Sequence, residues 1–308
     1  MSKIRQLDTM NIAVSKVVES LINMLRTNNI CTTEEKRLSV AREMFWVFTD
    51  SELEQNDLKV IQSKIKVVEF TFTQGNLWTQ LDQYFRNPKY IKFFRLIFNM
   101  TPVGLNTSPN ACCGKGELMY RLLRPLSSQP KKGDIQDGDR KLELKGSETR
   151  ISSQNITGKQ YASITRNALS SLISGNTVSS GSLKDTIQYE IEKGKNREHY
   201  SSEFAKLEFL VRKNAMIEIF KGLNIDVTSS DIIDTIVAKD FNQELYQRTL
   251  LADFYSKYKK QSEFDTLIFF GDGTNVKMLS SVADLDKVVI TNDYFRIAQS
   301  ANIGWYIK

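Results

Sequence analysis

Through the first hundred residues, apolar side chains recur every three or four positions, and that spacing predicts helices. Ile12 to Leu25, IAVSKVVESLINML, has the stripe of an amphipathic helix. Thr33, followed by Glu34 and Glu35, predicts a helix start leading into RLSVAREMFWVF, with the acids in the first turn where the dipole favours them. Leu58 to Phe72 carries two signals. KVIQSKI has helical spacing, whereas VVEFTFTQG alternates like a strand before Gly75. A further helix is predicted from Asn76 to Phe85 and is interrupted at Pro88. The apolar and aromatic run YIKFFRLIFNM follows and ends before Pro102. The pattern reads as a mostly helical scaffold over residues 1–100. Its aromatics, among them Phe45, Trp46, Phe48, Trp78 and Phe94, are expected in the core and not on a base-stacking surface.

Beyond residue 100 the pattern changes. TPVGLNTSPNACCG has the turn chemistry of a loop. A helix is predicted from Lys115 to about Leu123, with Leu118 and Leu122 as its buried stripe and Pro125 as its stop. After the loop SSQPKKG, a Asp-Gly turn between GDIQ and RKLELKG predicts a β-hairpin. Helices are expected from about Thr157, from Ser201 to Leu223 and from Asn242 to Lys259. The second has the stripe Phe204, Leu207, Leu210, Val211, Met216, Ile217 and Phe220. Near the C-terminus, DTLIFFGD, NVKMLSS, KVVITND and FRIAQSANIGWYIK read as strands. GDGTN, Gly271 to Asn275, reads as the turn of a hairpin.

Composition narrows the chemistry. The 308 residues are 41% hydrophobic and 25% charged, enough to bury a substantial core in one large domain or two modest ones. No apolar run is long enough for a membrane span, and MSKIRQLDTMN lacks an apolar signal core, so a cytoplasmic protein is expected. Cys31, Cys112 and Cys113 are too few for a disulfide framework, and the adjacent pair is expected to be reduced. The net charge of +6 permits a nucleic-acid partner. The chain has one histidine, His199. That excludes histidine-pair zinc hydrolases and His-centred nucleases, and leaves acid–base work to carboxylates, lysine, tyrosine or metal-bound water.

The charges converge on Gly114 to Arg150. In LELKG, the strand period of two puts Glu143 and Lys145 on one face and packs Leu142 and Leu144 behind them. Asp134, on the partner strand, comes near Glu143 if the register is right. Such a carboxylate pair is an oxygen site suited to Mg²⁺ or Mn²⁺, and the lysine can hold the attacking water or touch a scissile phosphate. Glu117, at the start of a helix, is a further ligand or a group that orients water. Gly114 and Gly116 leave first-turn amides open to an anion. Arg121, four residues on, is a rival partner for Glu117. Asp137 and Asp139 read as turn-formers. Lys115, Arg150 and Lys159 are phosphate contacts or plain surface charge. Gln154 orients water, contacts the DNA backbone or caps a loop. Tyr161 is a core residue or a phosphate donor. The bland alternative is a solvated hairpin face with cross-strand ion pairs.

Glu117, Asp134, Glu143 and Lys145, in that order on helix, strand and next strand, resemble the PD-(D/E)xK nuclease superfamily of restriction-endonuclease-like fold. The resemblance covers roughly Gly114 to Gln154, and Gly133 stands at the motif's proline position, a proline that many members lack. SPNACCGKGEL, GDI and ELKGSETR also look like a phage-type subset of nuclease-like proteins. The resemblance implies an α/β fold: a mixed sheet core of αβββαβ succession flanked by helices. It places a helical domain at 1–100 and a nuclease domain at 101–308 with a helical insertion around 175–260. It implies Mg²⁺- or Mn²⁺-dependent endonucleolytic hydrolysis of DNA. Asp134, Glu143 and Glu117 would be metal ligands and Lys145 would assist the water. Lys115, Arg150, Gln154 and Lys159 are the DNA-binding candidates. A restriction-like enzyme would act as a homodimer. The alternative from another class is a non-catalytic DNA-binding or assembly protein that keeps the fold.

Overall fold

The computed structural model of the protein describes residues 12–49, 53–99, 114–130, 132–146, 149–151, 156–157, 160–161, 163–164, 167–168, 208–227, 229–239, 242–271, 275–288, 295–296 and 304–307. The chain is mixed α/β and divides into two compact units. The first comprises Met1–Ser147 with Glu263–Leu279, the second Glu148–Ser262 with Ser280–Lys308. Among the described residues no helix is long and apolar enough to cross a membrane.

The first unit opens with helices α1 (Ile12–Thr27), α2 (Glu34–Thr49) and α3 (Gln55–Ile65). Val18, Leu21, Met24 and Leu25 of α1 and Val40, Ala41, Met44, Phe45 and Phe48 of α2 are buried in one core. Thr33 starts α2 as its sequence predicts, its hydroxyl accepting from the Lys36 amide at 3.3 Å. After α3, Val68, Phe70 and Phe72 are buried while residues between them are exposed. The strand-like alternation therefore holds, but among the described residues the segment pairs with no strand. The Phe70 amide instead donates to the Leu123 carbonyl at 3.1 Å. Pairing is confined to β1 (Gly75–Asn76). Asn76 then caps α4 (Leu77–Phe85) by accepting from the Thr79 amide, and Pro88 occupies the first position of α5 (Pro88–Asn99), where its missing N–H costs nothing.

α6 (Lys115–Leu123) buries Leu118, Met119, Tyr120, Leu122 and Leu123 in the same core as the N-terminal helices. It is followed by the hairpin β2 (Ile135–Asp137) and β3 (Arg140–Gly146). Gly138 takes φ +61 at the first position of the two-residue loop, a conformation glycine adopts without a Cβ penalty. Later in the chain come β5 (Thr266–Gly271) and β6 (Asn275–Leu279). The five strands form one sheet in the order β1-β6-β5-β3-β2, in which β3 and β5 are parallel and the other pairings antiparallel. Leu142, Leu144, Ile268, Phe270 and Val276 join the helical core. The helices of residues 12–99 thus share a core with α6 and the sheet.

The second unit has β4 (Thr149–Ile151), α7 (Phe209–Gly222), α8 (Ser230–Ile236), α9 (Gln243–Ser262), a 3-10 turn (Val282–Lys287), β7 (Phe295–Arg296) and β8 (Gly304–Ile307). Its strands form a sheet in the order β4-β8-β7. Thr157 begins a helical turn as expected, its hydroxyl accepting from the Gln160 amide at 3.4 Å. Tyr161 is a core residue. It is buried and shares a hydrogen bond of 3.2 Å with the Tyr246 hydroxyl, so the phosphate-donor reading of Tyr161 falls. The face of α7 also needs correction. Leu210 is 66% exposed, whereas Arg212 is buried and donates to the Ala238 carbonyl just past α8. An arginine that satisfies orphaned carbonyls at a helix end outweighs the apolar count of the stripe. Cys31 is disulfide-bonded. Cys112, Cys113, Phe204, Leu207 and His199 lie outside the described residues.

Candidate metal and phosphodiester site

The site is built by the hairpin and the first turn of α6. Antiparallel pairing sets Ile135 opposite Leu142, and the Asp134 amide donates to the Leu142 carbonyl at 3.0 Å. That register brings Asp134 opposite Glu143. Lys145 lies two residues further along the same face. The Lys145 ammonium is 2.5 Å from Glu143 Oε1 and 3.7 Å from Asp134 Oδ2. Asp134 Oδ2 also accepts from the Leu144 amide at 2.8 Å, which fixes the carboxylate to the partner strand. Glu143 is buried, and the Asp134 and Lys145 side chains are half-buried.

Gly133, the residue before this aspartate, has φ +81. Proline is locked near −65° and cannot adopt that conformation. The departure from a Pro-Asp sequence therefore has a local backbone cause.

Glu117 enters from α6. Its Oε1 accepts from the Gly114 amide at 3.1 Å. The anion held by this amide is therefore the protein's own carboxylate, not an open place for an external one. Gly116 packs closely, since a Cβ there would meet the Phe270 ring at 3.3 Å and the ring would have to yield by a few tenths of an ångström. Phe270 pairs with Gly146 across β5 and β3, so this contact sets the start of α6 over the end of β3 that carries Lys145. Burial pushes the Glu117 carboxyl up to about 7, helped by the Asp134 charge and opposed by the Gly114 hydrogen bond, Lys145 and Arg121. Burial likewise raises Asp134, with Glu143 adding to the rise and Lys145 opposing it.

Arg121 does not pair with Glu117 as the four-residue spacing suggests. It is buried, and its guanidinium donates to the Asn28 and Asn29 carbonyls just beyond the end of α1. Asp137 is more than a turn-former. Its carboxylate is buried at the end of β2 and receives hydrogen bonds from Arg124 Nε at 3.0 Å, Arg124 Nη2 at 2.8 Å and the Tyr120 hydroxyl at 2.7 Å. Burial pushes the Asp137 carboxyl up, but these bonds outweigh it and hold it below its ordinary value. The hairpin that carries Asp134 and Glu143 is thus tied to the helix that carries Glu117. The sequence hid this tie because its partners are brought together only by the fold. Asp139 is an exposed turn residue.

Among the DNA-binding candidates, Lys115 opens α6 and packs its ammonium 5.2 Å from the centre of the Phe98 ring. Arg150 lies in β4 opposite Tyr306. Gln154 and Lys159 lie outside the described residues.

The donor chemistry fits a hard divalent cation. The carboxylates supply oxygen ligands, and fully ionised they outnumber the Lys145 charge beside them. Among the described residues no three acidic, cysteine or histidine side chains are close enough to form a protein cage. Magnesium does not need one, since it is commonly held by one or two carboxylates with waters and substrate phosphates. Asp134 and Glu143, bridged by one ammonium, match that requirement. A Cβ at Gly146 would meet nothing within 4 Å, so open space borders the chain beside Lys145. Compared with known proteins, the chain matches no family model, no curated protein and no solved structure.

Proposed function

We propose that the first unit is a divalent-metal-dependent deoxyribonuclease that cuts internal phosphodiester bonds of DNA, with the restriction-endonuclease-like arrangement of its resemblance to PD-(D/E)xK nucleases. The observation that carries the reading is the bridging of Asp134 and Glu143 by the Lys145 ammonium on two adjacent strands. A solvated hairpin face would hold these groups in water, whereas here Glu143 is buried. Even a paired charge is costly to bury, so a protein with only a structural need has little reason to gather acids there. Within the first unit α6, β2, β3 and β5 follow in that order, with β3 parallel to β5 in the mixed sheet. β4 pairs in the other sheet.

Asp134 and Glu143 would hold Mg²⁺ or Mn²⁺, which when bound polarises a phosphoryl oxygen and acidifies a water molecule. Lys145, placed beside two carboxylates, presents an N–H donor to the attacking water or a non-bridging phosphate oxygen. Glu117, held by the Gly114 amide and drawn toward neutrality by burial, would be a further metal ligand or a group that orients water at the edge of the site. The Leu144 amide bond holds Asp134 in place throughout.

The test is incubation of plasmid and linear DNA with Mg²⁺ or Mn²⁺. Cleavage by the wild type and its loss in Asp134→Ala and Lys145→Ala support the nuclease. DNA binding without cleavage, unchanged in both variants, would instead support the DNA-binding or assembly protein. Two-strand cutting that depends on protein concentration would bear on the homodimer.

A further inference from the structure

Close to this site lies a cationic strip that the proposed chemistry does not use. Arg95 of α5 is exposed, and its guanidinium carbon lies 5.4 Å from the centre of the half-buried Trp78 ring of α4. Trp78 meets the buried Phe98 of α5 edge to face, with ring centres 5.8 Å apart. Phe98 in turn carries the ammonium of Lys115, 5.2 Å from its ring centre. Arg95, Trp78, Phe98 and Lys115 therefore form a continuous row of cation, ring, ring and cation. The row ends at the first turn of α6, two residues before Glu117.

These two cations lie over aromatic rings, unlike the ion-paired cations of the surface. Lys89, Arg124, Lys145 and Arg248 all face carboxylates within 4 Å. Among the described residues no carboxylate pairs with Arg95 or Lys115, and the aromatic faces stand in for one. A ring face attracts a cation without accepting its N–H hydrogen bonds in the plane of the guanidinium. It also restricts the side chain, which lowers the entropy lost when a ligand binds. Both cations thus keep donors for an outside acceptor and are already positioned.

We propose that this row is a docking strip for the backbone phosphates of a DNA strand, and that it delivers the strand to the site at Glu117, Asp134, Glu143 and Lys145. The proposal rests on the nuclease reading for its choice of polyanion. A DNA strand advances about 3.4 Å per nucleotide, so the three steps of the row extend over no more than about five nucleotides. Arg95 suits a bidentate phosphate contact and Lys115 a point contact. Trp78 and Phe98 act here as supports for the cations. Trp78, expected from sequence to be pure core, is half-buried and so has both roles.

The experiment is fluorescence anisotropy of a labelled DNA duplex with the full chain in EDTA, across a series of salt concentrations, for wild type, Arg95→Gln, Lys115→Gln and Arg95→Lys. Each lost phosphate contact should lower the log–log salt slope by about 0.9. Arg95→Gln and Lys115→Gln are expected to do so with unchanged melting temperatures, and Arg95→Lys to restore most of the slope. Equal slopes in all four proteins would overturn the strip, as would a wild type that binds no DNA. Competition by polyglutamate as strong as by DNA of equal charge would also overturn it and assign the row to an acidic protein segment. The nuclease reading is separable. Arg95-dependent binding without Mg²⁺-dependent cleavage leaves the strip standing and removes the nuclease. Cleavage with unaltered slopes does the reverse.

Discussion

Replacing Glu117 by glutamine should stabilise the metal-free protein, and by an amount that depends on pH. Glutamine keeps the oxygen that accepts from the Gly114 amide and removes the buried charge. The carboxyl is pushed from 4.5 to about 7 in the folded protein. Its folded pKa thus lies above its unfolded one, so between those values the folded state keeps a proton that the unfolded chain has lost. Stability contributed by this group therefore falls as pH rises from about 4.5 to 7, and the full cost is present above 7. At 1.36 kcal/mol per pKa unit, the cost is on the order of 3 kcal/mol. For a folded unit of this size that corresponds to a melting-temperature gain of up to about 10 °C. Thermal melts of wild type and Glu117→Gln in EDTA at pH 8 and pH 5 provide the assay. The variant should melt higher at pH 8, and the gap should shrink to under about 1 kcal/mol at pH 5. Mg²⁺ should then raise the wild type more than the variant, because a bound cation relieves the same buried charge. A variant no more stable than wild type at pH 8, or a gap of equal size at both pH values, would refute the reasoning.

Three other substitutions probe the supports of the site. Asp137→Asn removes a buried charge that receives three hydrogen bonds, and should cost about 3 kcal/mol at neutral pH in a chemical denaturation series. Because the folded pKa of Asp137 is depressed, its contribution is present above the ordinary carboxylate range and lost as pH falls through the folded value. The variant and wild type should therefore converge in acid. Gly133→Ala forces a side chain into φ +81 and should cost about 1–2 kcal/mol, read as a shift in denaturant midpoint. Arg121→Met leaves the Asn28 and Asn29 carbonyls without their guanidinium donor. It should cost about 1–3 kcal/mol, and in hydrogen exchange it should lower the protection of the last turn of α1.

The local parts of this architecture were legible in the residues. Pro125 and the Asp-Gly pair delimit α6 and the hairpin because proline and glycine act on the backbone where they stand. Period two in LELKG was enough to place Glu143 and Lys145 together, and the register of the pair then brought in Asp134. What could not be read were interactions whose partners are far apart in the chain. Arg121 had a plausible neighbour in Glu117, yet carbonyls more than ninety residues away hold it. Arg212 sat in an apolar stripe as a nominal outsider and became buried because α8 ends beside it. Asp137 resembled an ordinary turn acid until Tyr120 and Arg124 were placed over it. The Val68–Phe72 alternation marked burial correctly but not pairing, since alternation records which side chains face a core and says nothing about a neighbouring strand.

The most direct measurement of the central claim is the rate of supercoiled plasmid cleavage at saturating Mg²⁺, comparing wild type with Asp134→Asn and Lys145→Ala variants that melt as the wild type does. The account predicts conversion to nicked or linear DNA by the wild type, abolished by EDTA, and a rate at least a hundredfold lower in each variant, roughly the scale of losing a positioned proton-transfer or charge-stabilising group. Wild-type protein that leaves the plasmid intact in both Mg²⁺ and Mn²⁺, or cleavage that survives both substitutions, would contradict it.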